Sequence, residues 1–196
     1  MQIDFSPIDN KEIKMLEFSQ QFTLDDLRAA TNTSIDTLLE IISDLDDADI
    51  VFDPLDPTAD DPYAVEGEER IGWHIGHLIA HMTASSEEGA AFSSILARGI
   101  EIEPRLRYEL PWKEIVSKAK CVQRLEESRR IRLAYLETWP DAPHLDVYRI
   151  LSERFIERFG NLNAPASFLF GLMHELGHYE QVREVKRQAL AAKQQA

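Results

Sequence analysis

The sequence holds a single cysteine, Cys121, so the chain cannot close a disulfide on itself. We expect a buried, inert thiol and a reducing, cytoplasmic environment. No uninterrupted apolar run approaches the roughly 20 residues that cross a bilayer, and residues 1–5 lack the basic start and the apolar stretch of a secretion signal. The sequence therefore predicts a protein that is neither inserted in a membrane nor secreted.

Basic side chains are also scarce, because 21 Lys and Arg stand against 35 Asp and Glu, which gives a formal net charge of -14. Such a chain repels a phosphate backbone, so we expect no nucleic-acid partner. Residues 40–69 contain twelve carboxylates without one Lys or Arg. They lack the Asp-x-Asp-x-Asp-Gly pattern of a calcium loop, and we interpret residues 46–69 as a solvated acidic loop.

The chain has neither a glycine-rich phosphate-binding loop nor a Gly-x-Ser-x-Gly elbow, so nucleotide chemistry and serine hydrolysis have no sequence support. It does have 44% apolar residues in 196 positions, enough for one well-packed domain. Their three- and four-residue spacing predicts long helices at about 24–45, 71–96, 112–139 and 165–190, and a short one at 146–159. We therefore predict an all-α, four-helix bundle with an additional short helix before the last long helix.

Helix-end signals support these segments. Thr23 is followed by acidic residues, as at a capped helix start near the positive end of the dipole. Gly160 suits a left-handed helix end. Asn163 supplies a cap for the last long helix, whose first turn tolerates Pro165.

Five of the six histidines occur in two helical clusters. His174 and His178 are four residues apart, so a helix places them on one face, where both imidazoles can bind one metal ion. His74, His77 and His81 lie within about 60° of one another at the 100° step of an α-helix. If the two helices pack side by side, one or two of these imidazoles can meet the first pair. The result is a three-nitrogen site with open coordination positions.

Two of the six histidines, His74 and His144, are expected to have roles other than binding the metal. A lone histidine is more often a satisfied or exposed group than a ligand, so we expect His144 to lie outside the site. His74 is expected to be structural or exposed as well.

The two clusters resemble the motifs of a known family. Residues 73–81 carry a tryptophan, Trp73, eight positions before His81, and resemble the second-helix motif of the DinB-like family. Residues 174–181 carry two histidines four apart and Gln181 three further on, and are similar to the final-helix motif of that family. Both motifs match in order and spacing, and the resemblance covers the chain from about residue 23 to residue 186.

The resemblance implies a single DinB-like bundle domain over residues 1–196, with residues 1–22 as an N-terminal extension. It implies a divalent metal ion held by His81, His174 and His178, with His77 as a candidate fourth or outer ligand. Zinc or nickel is the expected metal, and manganese or iron is also compatible with such ligands. The short helix before the last long one departs from the simplest family layout.

The same resemblance implies a metal-dependent enzyme acting on a small molecule. Members with known chemistry are chiefly thiol S-transferases and isomerases that use low-molecular-weight thiols, or hydrolases. The alternative is a non-enzymatic metal-binding or stress-associated bundle, in which the ion serves the fold. Long helices and apolar aromatic residues also favour a homodimer through helix faces.

Residues 174–178 read His-Glu-x-x-His as well, the zincin signature with a glutamate as general base. The longer metzincin pattern requires Gly and His where the chain has Gln181 and Glu184. The catalytic candidates are Glu175 and Gln181. Glu175 points about 100° away from His174 and is either a solvated carboxylate or a group near the metal, whereas Gln181 lies on the histidine face, where it can hydrogen-bond a ligand.

Overall fold

The computed structural model describes residues 1–60, 66–101 and 111–195. The prediction of an all-α fold is confirmed, because these residues contain helices and no strand. In chain order the helices are α1 (Ser6–Asp9), α2 (Met15–Ser19), α3 (Leu24–Ile41), α4 (Asp47–Ile50), α5 (Ile75–Ala97), a 3-10 turn (Trp112–Glu114), α6 (Lys118–Glu137), α7 (Glu153–Phe159), α8 (Ala164–Gly177) and α9 (Tyr179–Gln195).

Four positions of the bundle are taken by α3, α5, α6 and the successive helices α8 and α9. α5 packs along both α6 and α8, and α3 contacts α6 and α8 from the other side, so the four positions enclose one interior. Within the described residues, none of the helices combines the length and the apolar character that crossing a bilayer requires.

The helix starts follow local capping chemistry. Thr23 Oγ1 accepts a hydrogen bond from the Asp26 backbone N–H at 3.2 Å, and the Asp26 carboxylate accepts from the Thr23 N–H at 2.8 Å. This reciprocal capping box fixes the start of α3 at the predicted place. The second long helix begins at Ile75 rather than at 71, because the His74 side chain caps it by accepting from the His77 N–H.

The predicted last helix consists of two pieces. α8 begins behind the expected Asn163 cap and ends at Gly177, and α9 begins at Tyr179, with His178 as the turn residue between them. The short helix before α8 is present as expected but starts at Glu153 instead of 146, and Gly160, with a φ of +83°, follows its last residue. The first long helix ends at Ile41, before the predicted 45.

The N-terminal 22 residues and the start of the acidic segment both contribute to the packed interior. Phe5, Ile8 and Phe18 from the N-terminal part are buried against the bundle. In the acidic segment, α4 buries Ile50 completely, and Lys193 of α9 pairs with Asp49 at 2.6 Å. The acidic loop is therefore ordered by packing and ion pairs near its start. Its residues 61–65 lie outside the described part of the chain.

Candidate metal centre

Three histidines from two sides of the bundle meet in one place. His81 lies on α5, His174 near the end of α8, and His178 at the break before α9. His81 Nε2 is 2.9 Å from His174 Nε2, which is 3.3 Å from His178 Nε2. One ring nitrogen of each histidine lies within 4.8 Å of the others, and all three side chains are half-buried. This group can hold a metal ion.

The spacing of these nitrogens suits one shared ion. Nitrogen ligands about 2.0–2.1 Å from a tetrahedral zinc ion lie roughly 3.3 Å from each other. The observed separations of 2.9 and 3.3 Å approach that value. The donor set therefore fits a single divalent transition metal, for which imidazole is a favoured ligand.

Gln181 orients His178 for such a role. The Gln181 side-chain oxygen lies 2.9 Å from His178 Nδ1. A carbonyl oxygen can only accept a hydrogen bond, so Nδ1 donates and the lone pair of Nε2 faces the other two imidazoles. Burial lowers the pKa of His178, with the Gln181 hydrogen bond acting in the opposite direction. The neutral imidazole that a metal requires is thus the favoured form at neutral pH.

Two glycines let the ligand-bearing helices approach each other closely. A Cβ atom on Gly89 of α5 would lie 2.8 Å from the Ser167 carbonyl oxygen, and one on Gly171 of α8 would lie 2.6 Å from the Ser85 carbonyl oxygen. No side chain fits at either contact, so the two backbones touch. Because Gly171 is one turn before His174, this contact sets the distance between the ligands of the two helices.

Two tryptophans pack against the histidines. The Trp73 ring lies 4.7 Å from the His81 ring and 4.5 Å from the His77 ring, between ring centres. Trp112 stacks on the other side of His77 at 4.3 Å, with the planes 3° apart. His77 is therefore held between two indoles and is not a member of the three-histidine group. The candidate fourth ligand instead helps to hold Trp73 against His81.

Glu175 is neither solvated nor a member of the histidine group. Its carboxylate is completely buried and lies 2.9 Å from Arg132 Nη1, which is 1% exposed. It also accepts hydrogen bonds from the hydroxyls of Ser86 at 2.6 Å and Tyr179 at 3.3 Å. Burial, followed by the charge of Glu175, raises the pKa of Tyr179, so its hydroxyl stays protonated and donates. Sequence reasoning missed this network because Arg132 carries no local signal of burial.

The two other histidines lie outside the group, as expected. His74 caps α5, and burial lowers its pKa. His144 is exposed, and its backbone N–H donates to the Ala97 carbonyl oxygen at 2.9 Å. Neither is brought to the three ligand nitrogens among the residues that the structure describes.

Cavities reach the histidines from more than one direction. The wide cavity, of about 800 Å³, borders all three histidines and is walled by residues 54–60, by Ile71 and Trp73, and by the first turns of α9. A second one, the aromatic cavity, of about 470 Å³, borders His81 and His174 and is walled by α7, α8 and the segment before α7. Both volumes fall in the range of roughly 300–1,000 Å³ that small-molecule sites occupy.

A comparison with known families identifies the family of the chain. The model of the DinB superfamily matches residues 30–182, which include the three histidines, Trp73 and Gln181. No curated protein and no solved structure matches the chain significantly. The matched stretch is well over half of the 196 residues. The chain therefore belongs to the DinB superfamily.

Proposed function

We propose that the protein binds one divalent transition-metal ion through the Nε2 atoms of His81, His174 and His178, and that it is a metal-dependent enzyme acting on a small molecule. The observation that carries this proposal is the meeting of three ring nitrogens within 4.8 Å at the border of a cavity. Three protein ligands leave coordination positions for water or substrate, as catalytic sites require. A bound ion at such a site polarises a substrate group or lowers the pKa of a bound water or thiol.

The residues around the histidines have separate tasks in this proposal. Gln181 holds the His178 ring in the orientation that presents Nε2. Trp73 covers the ring of His81 and limits water on that side. The wide cavity admits a small molecule up to the three nitrogens. Transfer to or from a low-molecular-weight thiol and hydrolysis are the two reaction classes that we propose.

Zinc or nickel is the proposed metal, since three imidazoles suit both ions. Manganese and iron bind such a set less tightly in the usual order of affinities.

The zincin alternative lacks its general base. In that mechanism the glutamate between the two histidines must reach the reacting water. Here the Glu175 carboxylate is buried, is paired with Arg132 and accepts from two hydroxyls. Glu175 is not among the residues that line the wide cavity or the aromatic cavity at the histidines, so its carboxylate does not face a water held there.

Cobalt substitution tests the proposal. Protein loaded with cobalt in place of the native metal should change its visible absorption when acetohydroxamate or a simple thiol is added, because the probe replaces water at the open positions. His178→Ala should lose this response, whereas His144→Ala should keep it. A spectrum that no probe alters would indicate an ion whose coordination sphere is closed and which only stabilises the fold. That result would refute the proposed enzymatic function.

A further inference from the structure

The aromatic cavity borders the histidine group but, unlike the wide cavity, is not lined by residues 54–60. It is bordered by His81 and His174 and by Ser85, one turn after His81 on α5. Its other walls are Leu151 and two phenylalanines, Phe155 of α7 and Phe170 of α8, whose ring centres lie 5.0 Å apart. A molecule held at the histidines can therefore contact these three apolar side chains.

The charged groups of this cavity neutralise each other. Glu88 and Arg149 line it, and Glu88 Oε1 lies 3.5 Å from Arg149 Nη2. Each of the two side chains is only 11% exposed. The Arg149 guanidinium also lies over the Phe92 ring at 3.7 Å, and the Arg149 backbone N–H donates to Leu162. An anionic ligand that approached Arg149 would also approach Glu88, so the paired wall favours neither ionic charge.

The segment between α6 and α8 builds much of this enclosure. Arg149, Leu151 and Phe155 all come from the stretch that precedes or forms α7. The Phe155 ring also contacts Phe159, and both rings contact Phe170, which fixes α7 against α8. The wall is thus an aromatic surface to which α7 and α8 both contribute.

We propose that the aromatic cavity is a substrate subsite, which binds a neutral arm ending in an aromatic or similarly bulky apolar group. The inference rests on the proposed function, because the reacting group of the same substrate is placed at the three histidines. The substrate is then a molecule with a metal-binding head and an uncharged apolar arm, rather than a polyanionic thiol that occupies the wide cavity alone.

The first experiment needs no metal-binding group on the ligand. Phenylbutanamide is titrated into the metal-free protein, so that no ligand can coordinate an ion, and binding is followed by saturation-transfer NMR, with butanamide and the anionic phenylbutyrate as comparisons. The aromatic amide should bind about tenfold or more tightly than butanamide, because its ring leaves water. Equal binding of the two amides, or tighter binding of phenylbutyrate, would overturn the proposal.

Variants locate the binding. Leu151→Trp fills the aromatic cavity, and Ser85→Leu narrows it from α5, so each should weaken phenylbutanamide about tenfold or more. Leu55→Trp is the matched control, because Leu55 lines the wide cavity and is 80% exposed. Circular dichroism identifies a variant that fails to fold. Unchanged affinity in the folded cavity variants, or loss in Leu55→Trp alone, would refute the subsite.

A second comparison separates the two proposals. In metal-loaded protein, phenylbutanehydroxamate should bind about tenfold more tightly than acetohydroxamate, and Leu151→Trp should remove the difference. If the amide binds in the aromatic cavity but neither hydroxamate binds at the metal, the subsite stands and the proposed open metal site is wrong. If both hydroxamates bind equally in the wild type, the open site stands and the subsite is wrong.

Discussion

The buried ion pair of Arg132 and Glu175 provides a quantitative test of what stabilises the bundle next to the histidines. Arg132 is 1% exposed and Glu175 is fully buried, so solvent does not screen their interaction. Arg132 also lies 3.4 Å from the Ser34 hydroxyl. Its Nε and Nη2 atoms have no hydrogen-bond partner among the described residues. Glu175 is thus the one anion that the arginine is seen to bind in this part of the chain.

Replacing Arg132 alone leaves a buried carboxylate without its cation. Breaking a buried pair in this way costs about 3–5 kcal/mol in the free energy of unfolding. In a protein of this size that corresponds to a fall of roughly 6–20 °C in the melting temperature. Arg132→Met should therefore be strongly destabilised, whereas adding Glu175→Gln should recover about 2 kcal/mol or more, because an uncharged amide tolerates burial.

Urea unfolding of the metal-free protein, followed by circular dichroism, measures these differences. The matched control is Arg129→Met on the same helix, since Arg129 pairs with Asp36 and Glu126, which are 68% and 39% exposed. Exposed pairs contribute about 1 kcal/mol or less. If Arg132→Met and Arg129→Met unfold at the same urea concentration, or if the double variant is less stable than Arg132→Met, the buried ion pair does not stabilise the bundle in this way.

Three further predictions follow from the site and the core. Gln181→Leu should weaken metal binding about 10- to 100-fold in competition with a coloured chelator, and Gln188→Leu should not; equal affinities would show that Gln181 does not orient His178. Gly171→Ala should lower both stability and metal affinity, because its Cβ would lie 2.6 Å from the Ser85 carbonyl oxygen. Gly177→Ala is the control: a Cβ there has no neighbour within 4 Å, so neither quantity should change by more than about 1 kcal/mol. A Gly171→Ala variant with unchanged stability and metal affinity would contradict the close helix contact. Burial raises the pKa of the Cys121 thiol to about 12, so Ellman's reagent at about pH 8 should label it only after unfolding, and rapid labelling of the folded protein would refute the burial. The contribution of this thiol to stability should be complete below about pH 8.5 and should fall as the pH rises towards about 12. Cys121→Ala should not show this loss.

The histidine pair was predictable because helical geometry is local. His174 and His178 are four residues apart, and a helical conformation with 3.6 residues per turn places them on one face regardless of how the helices pack. The predicted meeting with His81 depended on which helices pack together, and the structure brings all three nitrogens together. His77 was harder to assign, since the same spacing serves a ligand and a ring stacked between two indoles equally well.

Other features depend on contacts between distant segments. The break at His178 has no proline or positive-φ glycine to announce it. The burial of Glu175 follows from Arg132 on another helix, 43 positions away. Gly89 and Gly171 inside helical patterns could have indicated the close backbone contact, because an interior glycine costs helix stability unless packing requires it.

Metal analysis of protein purified without a histidine tag measures whether His81, His174 and His178 hold one divalent ion. Elemental mass spectrometry should find about one ion per wild-type chain. His81→Ala, His174→Ala and His178→Ala should each lose most of this metal, while His144→Ala keeps it. Wild-type protein that carries no metal after reconstitution, or full metal in all three ligand variants, would show that these histidines do not hold the ion.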